Sequence, residues 1–168
     1  MLRAASSVGM RGKEYTPHFL KEFKPVGAVG EQGDFNYTPP RAGFSYQHAE
    51  PKLIELAPDQ WDLVIKGMWG VVNGGGTAGS IRMPNWEIAG KTGTAQVSEV
   101  GKDKGKNKDH SWFVSFAPAY KPEISVIALI ENSGFGAANA APAAKAIYET
   151  YLTKHPHEKS SGQEVVSN

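Results

Sequence analysis

Apolar residues between Pro58 and Asn73 recur at helical spacing. Trp61, Val64, Ile65, Met68, Val71 and Val72 form one stripe when the chain is wound at about 3.6 residues per turn, which predicts an amphipathic helix with that stripe buried. Pro58 suits its first position, where a missing N–H costs nothing, and Asp59 complements the positive end of the helix dipole. Gly67 costs about 1 kcal/mol relative to alanine there, so it is expected to mark a close backbone approach. The glycine run Asn73 to Gly76 then stops the helix.

Further along, the period shortens to two. The stretch from Trp86 to Gln96 has strand character, interrupted by Gly90 and Gly93, and glycine inside a strand marks a place where a ligand or another backbone comes close. Ser111 to Ala117 and Glu123 to Glu131 are rich in aromatic and β-branched residues and are separated by a short, proline-bounded connector, which predicts a hairpin. Adding the Trp86 to Gln96 strand gives a three-stranded antiparallel unit. The Glu123 to Glu131 run is apolar on both parities, so both its faces are expected to be covered. A last helix, capped by Asn139 and running to about Leu152, would lay Ala144, Ile147, Tyr148 and Tyr151 over the sheet.

The remaining stretches are expected to be connectors. Met1 to Gly12 reads as the end of a helix, Tyr15 to Val26 as a short surface strand, and Gly27 to Ala49 as turns among aromatics. Lys52 to Leu56 extends this with a short pairing segment. Val97 to Asp109 alternates lysines with acids, the pattern of a solvated loop. Residues 1–153 therefore form the folded part, and the polar residues 154–168 are expected to be a disordered tail.

Composition narrows the function more than the fold. Eighteen Lys and Arg against seventeen Asp and Glu leave a charge of +1, which gives no field to attract nucleic acid, so no nucleic-acid partner is expected. There is no cysteine, which excludes disulfides, thiolate metal sites and cysteine nucleophiles. No stretch approaches the roughly 18 to 20 apolar residues of a membrane span, and the start lacks the apolar core of a signal peptide.

The chemically informative string is Lys91-Thr92-Gly93-Thr94. Its Gly90-Lys91-Thr92 portion copies the end of a phosphate-binding loop, but that motif needs a glycine where Asn85 stands and a helix where strand-like residues follow. Lys-Thr-Gly is instead one of three signatures of penicillin-binding proteins and class A β-lactamases, beside Ser-x-x-Lys and Ser-x-Asn. Asp109 and His110 could be taken for an acid and base pair, yet neighbours in a strand point to opposite faces, so a structural role is expected. Trp112 is expected in the core, and Glu131 to Phe135 reads equally as a cleft rim or a plain turn.

In order, GMWGVVNGGGTAG, IAGKTGTAQ, DHSWFVSFAP and ISVIALIENSGFG, followed by the alanine-rich helix, resemble the carboxyl-terminal half of class B penicillin-binding proteins, specifically the elongation-type subgroup, over roughly Tyr15 to Leu152. The resemblance implies an α+β fold, a five-stranded antiparallel sheet flanked by helices, with the Lys-Thr-Gly strand lining one side of the cleft. Lys91 and Thr94 would then be catalytic: Lys91 near the nucleophile, and the Thr94 backbone N–H as an oxyanion donor, a contact worth about 3 to 4 kcal/mol when lost. Lys91, Thr92, Gly93 and Thr94, with Gln96 at the border, would bind substrate, the two threonines offering hydroxyls and Gly93 keeping the strand flat. The ligands implied are a peptidoglycan stem peptide or a β-lactam, with no cofactor and no metal. The family is anchored in the cytoplasmic membrane with this domain outside the cytoplasm.

The nucleophile is missing. None of Ser6, Ser7, Ser45, Ser80, Ser98, Ser111, Ser115, Ser125, Ser133, Ser160, Ser161 and Ser167 has lysine three residues on or asparagine two residues on. The family places both motifs before the matched segment, so the chain is expected to be an incomplete carboxyl-terminal part, inactive alone. It would need a companion chain carrying the first part of the domain, or would self-associate through its exposed edge. Two rival readings are a catalytically inactive module that binds peptidoglycan or protein, and a β-lactamase or D,D-carboxypeptidase, which Lys-Thr-Gly alone does not separate from a transpeptidase.

Overall fold

The computed structural model describes residues 1–18, 50–97 and 108–155. The expected turn region Gly27 to Ala49, most of the Val97 to Asp109 loop, and the tail beyond His155 lie outside these residues. The order of elements is α1 (Leu2–Gly9), β1 (Lys13–Glu14), β2 (Lys52–Leu53), α2 (Pro58–Asn73), β3 (Ala89–Ala95), β4 (His110–Ala117), β5 (Ile124–Ile130) and α3 (Ala140–Lys154), with a short 3-10 turn at Gly79–Ile81. Strands β3, β4 and β5 form an antiparallel sheet in that order, as the hairpin pattern predicts.

One face of the sheet carries the larger core. Phe113, Ala117, Val126 and Ala128 pack against Ala140, Ala141, Ala144 and Tyr148 of α3, joined by Val72, Ala78, Ile81, Trp86 and Ile88. The aliphatic and alanine surfaces allow helix and sheet to approach closely, and the hydroxyls of Tyr148 and Ser115 inside are hydrogen-bonded. Tyr148 Oη donates to Ser115 Oγ at 2.7 Å, and that hydroxyl donates to Val126 O at 3.3 Å. Burial holds the Tyr148 phenol well above its ordinary value of 10.0, against the lowering effect of the Ser115 bond. On the opposite face Ile65, Ala89, Phe116 and Ala119 make a smaller core, with Val8, Met68 and Trp69 around them.

Helix α2 spans the predicted range. Pro58 takes an initial position, and the Ala57 N–H, left over at the helix start, donates to Gln60 Oε1 at 3.0 Å. Its buried stripe is narrower than the spacing predicts: Trp61, Ile65 and Val72 are buried, Met68 and Val71 half-buried, while Val64 is exposed. Gly67 marks no close approach, because a Cβ there would meet nothing within 4 Å.

Three other expectations need correcting. No strand occupies residues 15–18; the pairing lies just before, with Lys13 opposite Leu53 and Glu14 opposite Lys52, and the rest of the expected strand falls outside the described residues. The face of β5 bearing Ser125, Ile127 and Leu129 is incompletely covered among the described residues, Leu129 being exposed, so apolar character on both parities does not here mean burial on both faces. Trp112 is half-buried, on the sheet face opposite Phe113, which is the buried aromatic.

Two glycines separate these packing regimes. Gly67→Ala, at an exposed helical position with open space, is expected to raise stability by about 0.5 to 1 kcal/mol. Gly90→Ala is expected to lower it by about 1 to 3 kcal/mol, since its Cβ would stand 2.5 Å from Phe113 Cζ. Urea denaturation of both variants checks the pair, and Phe113→Leu should recover part of the Gly90→Ala loss.

Candidate active site

Among the described residues strand β3 is an edge strand, and the signature string occupies its middle. Register with β4 sets Lys91 opposite Val114, Thr92 opposite Phe113, Gly93 opposite Trp112 and Thr94 opposite Ser111. Directly opposed residues share a face, so Thr92 and Thr94 lie on the α3 side, while Lys91 and Gly93 lie on the other. Lys91 and Thr94 are exposed, Thr92 and Gly93 half-buried. The Lys91 ammonium curls back and donates to Thr92 O at 2.7 Å. Gln96 follows the end of β3 and is exposed.

What holds this strand in place comes from three directions. First, its glycines admit neighbours: Gly90 leaves room for the Phe113 ring, and a Cβ on Gly93 would stand 3.2 Å from Trp112 Cβ. Second, the loop after β5 lies against it. The Gly136 backbone sits so close that a Cβ there would stand 2.5 Å from Gly93 O, with Trp112 O nearer still. At both strand glycines a side chain would meet another side chain, Phe113 or Trp112, and the backbone-on-backbone approach is the one that Gly136 permits.

That loop is tied down by hydrogen bonds. Asp109 O accepts from the Ser133 and Gly134 N–H groups at 3.0 and 2.8 Å, and His110 Nδ1 accepts from the Asn132 N–H at 3.0 Å. The Ser111 and Ser133 hydroxyls lie 2.6 Å apart, with Ser133 Oγ donating to Ile130 O. Asn139 Nδ2 donates to Ser133 O at 2.7 Å. Asp109 and His110 therefore serve the loop's backbone, Asp109 also accepting the Val97 N–H at 3.3 Å.

The third support comes from the end of α2. Asn73 Nδ2 donates to Ile88 O at 2.9 Å and to Trp69 O at 3.1 Å, bonding the helix end to the residue that leads into β3. The glycine turn then folds back, Gly76 N–H donating to Gly70 O and Ala78 N–H to Val71 O. It brings Thr77 Oγ1 to 2.9 Å from Thr92 Oγ1. Sequence reading takes this turn as a helix stop and Glu131 to Phe135 as a rim or turn, both within strings that resemble the family; neither Thr77 nor Gly136 carries a local signal of contact with β3.

The family of penicillin binding protein transpeptidase domains matches residues 1–149. Peptidoglycan D,D-transpeptidase MrdA of Haemophilus influenzae is 31% identical over 162 residues, covering 90% of this chain and 23% of that protein. Among solved structures, Pseudomonas aeruginosa PBP2, in complex with WCK 5153, is 34% identical over 73% of this chain and 26% of its own, with a TM-score of 0.54. The D,D-transpeptidase domain of a peptidoglycan glycosyltransferase from Eggerthella lenta matches 92% of this chain and 31% of its own with a TM-score of 0.65, and at 22% identity it shows the α+β fold alone. The chain thus spans about a quarter of the length of the curated relative. Among the described residues no helix is long and apolar enough to cross a membrane.

Because the contact at Gly136 is backbone on backbone, no rotamer change relieves it. Gly136→Ala is expected to cost about 2 kcal/mol or more and to shift the amide resonances of Gly93 and Thr94. Denaturation and amide NMR of the variant check this; an unchanged spectrum at Gly93 would contradict the contact.

Proposed function

Since the chain belongs to the class B penicillin-binding protein transpeptidase family, we propose that it supplies the Lys91 to Thr94 side of a serine acyl-transfer site acting on peptidoglycan stem peptides. The supporting observation is the signature strand itself: an edge strand, braced on three sides, with Lys91 and Thr94 exposed and Thr92 and Thr94 sharing a face. The elongation-type subgroup is the finer assignment. Its location would follow the family, an anchored parent with this domain outside the cytoplasm.

In the assembled site a serine from the Ser-x-x-Lys motif attacks the penultimate D-Ala carbonyl. Its Oγ bonds to the carbonyl carbon, and the peptide C–N bond breaks as the leaving D-Ala takes up a proton. An amine of a neighbouring stem then displaces the serine to form the cross-link. The Thr94 N–H stabilises the oxyanion of each tetrahedral intermediate, the Thr92 and Thr94 hydroxyls hold the terminal carboxylate, and the Lys91 ammonium adds positive charge beside the nucleophile. A β-lactam acylates the same serine through its strained amide.

These 168 residues hold no Ser-x-x-Lys and no Ser-x-Asn, so on this reading the nucleophile lies outside them, in the first part of the domain. The surface fits packing against that first part: Leu63 is 72% exposed, Leu129 44% and Phe135 76%, and the Trp69 indole N–H is buried with no hydrogen-bond partner among the described residues.

Intact-protein mass after exposure to a reporter penicillin tests the reading. The 168 residues alone should gain no adduct, the domain completed by its first part should gain one, and Lys91→Gln should slow that acylation by about 100-fold. A completed, folded domain that takes no adduct would contradict the reading and favour a catalytically inactive binding module.

A further inference from the structure

Resting on that reading of β3, we infer that Thr77 is a positioning residue for the substrate carboxylate, acting through the hydroxyl of Thr92. The two Oγ1 atoms lie 2.9 Å apart, Thr77 being exposed and Thr92 half-buried. A threonine hydroxyl has a single proton to donate and two lone pairs with which to accept. If Thr92 gives its proton to a carboxylate, the proton between the two threonines must come from Thr77. The direction of the pair is then fixed: Thr77 donates to Thr92, and Thr92 donates to the ligand.

Such a chain strengthens the outer bond, because an oxygen that accepts a hydrogen bond becomes a better donor, and the outer bond ends on an anion. It also removes the alternative in which the Thr92 proton turns inward and presents only lone pairs, which would repel a carboxylate.

Thr77 is held for this role by elements on both sides. Ala78, next to it, is fully buried and its N–H is bonded to Val71 O at 2.9 Å, while Gly76 N–H is bonded to Gly70 O at 3.1 Å. Asn73 joins the same turn to Ile88 at 2.9 Å, one residue before β3 begins. An exposed side chain is thus carried on a backbone fixed to the strand it serves. Stability alone gives little reason for the pair, since two solvated hydroxyls gain little by exchanging water for each other.

The test is titration of the 168-residue chain with N-acetyl-D-alanyl-D-alanine and, separately, with its C-terminal carboxamide, followed at the Thr92 and Thr94 amide resonances. The unaltered chain should prefer the acid. Thr77→Val should weaken acid binding about tenfold, the size expected for a bond to a charged group, and leave carboxamide binding unchanged. Thr77→Ser should restore the preference, and the melting temperatures of all three chains should agree closely. Acid preference that survives Thr77→Val intact, or equal weakening of acid and carboxamide, would overturn the inference alone. No preference for the acid in the unaltered chain would overturn the carboxylate-binding reading of β3, and this inference with it.

Discussion

Everything about the site depends on the close packing of β3 against its neighbours, which glycine makes possible. An edge strand has a partner on one side only, and its open side invites fraying. Here the missing side chains of Gly90 and Gly93 let Phe113 and Trp112 of β4 close in, and Gly136 brings the loop after β5 against the Gly93 backbone. The α2 turn completes the support through Asn73 and Thr77. A strand that would otherwise be free to move becomes a fixed platform for four consecutive residues of one chemical signature.

Strand alternation then distributes that signature. Lys91 projects to one face and the two threonine hydroxyls to the other, so a ligand cannot meet all three side chains from a single face of the sheet. On the proposed reading a ligand lying along the edge meets the threonines and a backbone N–H, while Lys91, whose ammonium is bonded to Thr92 O, stands on the far side. On that reading the strand is one wall of a cleft and the nucleophile belongs to the other, since no serine of this sequence stands in either missing signature.

The sequence was most legible where a pattern has only one physical solution. The stripe from Trp61 to Val72, with proline at the start and a glycine run at the end, leaves little choice but α2, and the β4–β5 hairpin follows from its aromatic and β-branched runs. It was misleading where apolar character was equated with burial: Val64, Leu129 and Trp112 all have the right chemistry for a core, yet cover is incomplete on their sides among the described residues. Tyr15 was misplaced because a two-residue pairing such as Lys13–Glu14 is too short to show a period. The strand that carries Lys91 to Thr94 was legible in the sequence. Thr77 and Gly136 were not, because their significance lies in contacts 15 and 43 residues away along the chain, which no local pattern encodes.

Hydrogen exchange resolved to single amides in β3 tests the central claim, that this edge strand is held as firmly as the strand beside it. The packing predicts that those β3 amides bonded to β4 exchange as slowly as the amides of β4, and that Gly136→Ala speeds β3 while leaving the β4–β5 pairing protected. Exchange of every β3 amide at the rate of an unstructured peptide, with β4 and β5 still protected, would contradict it.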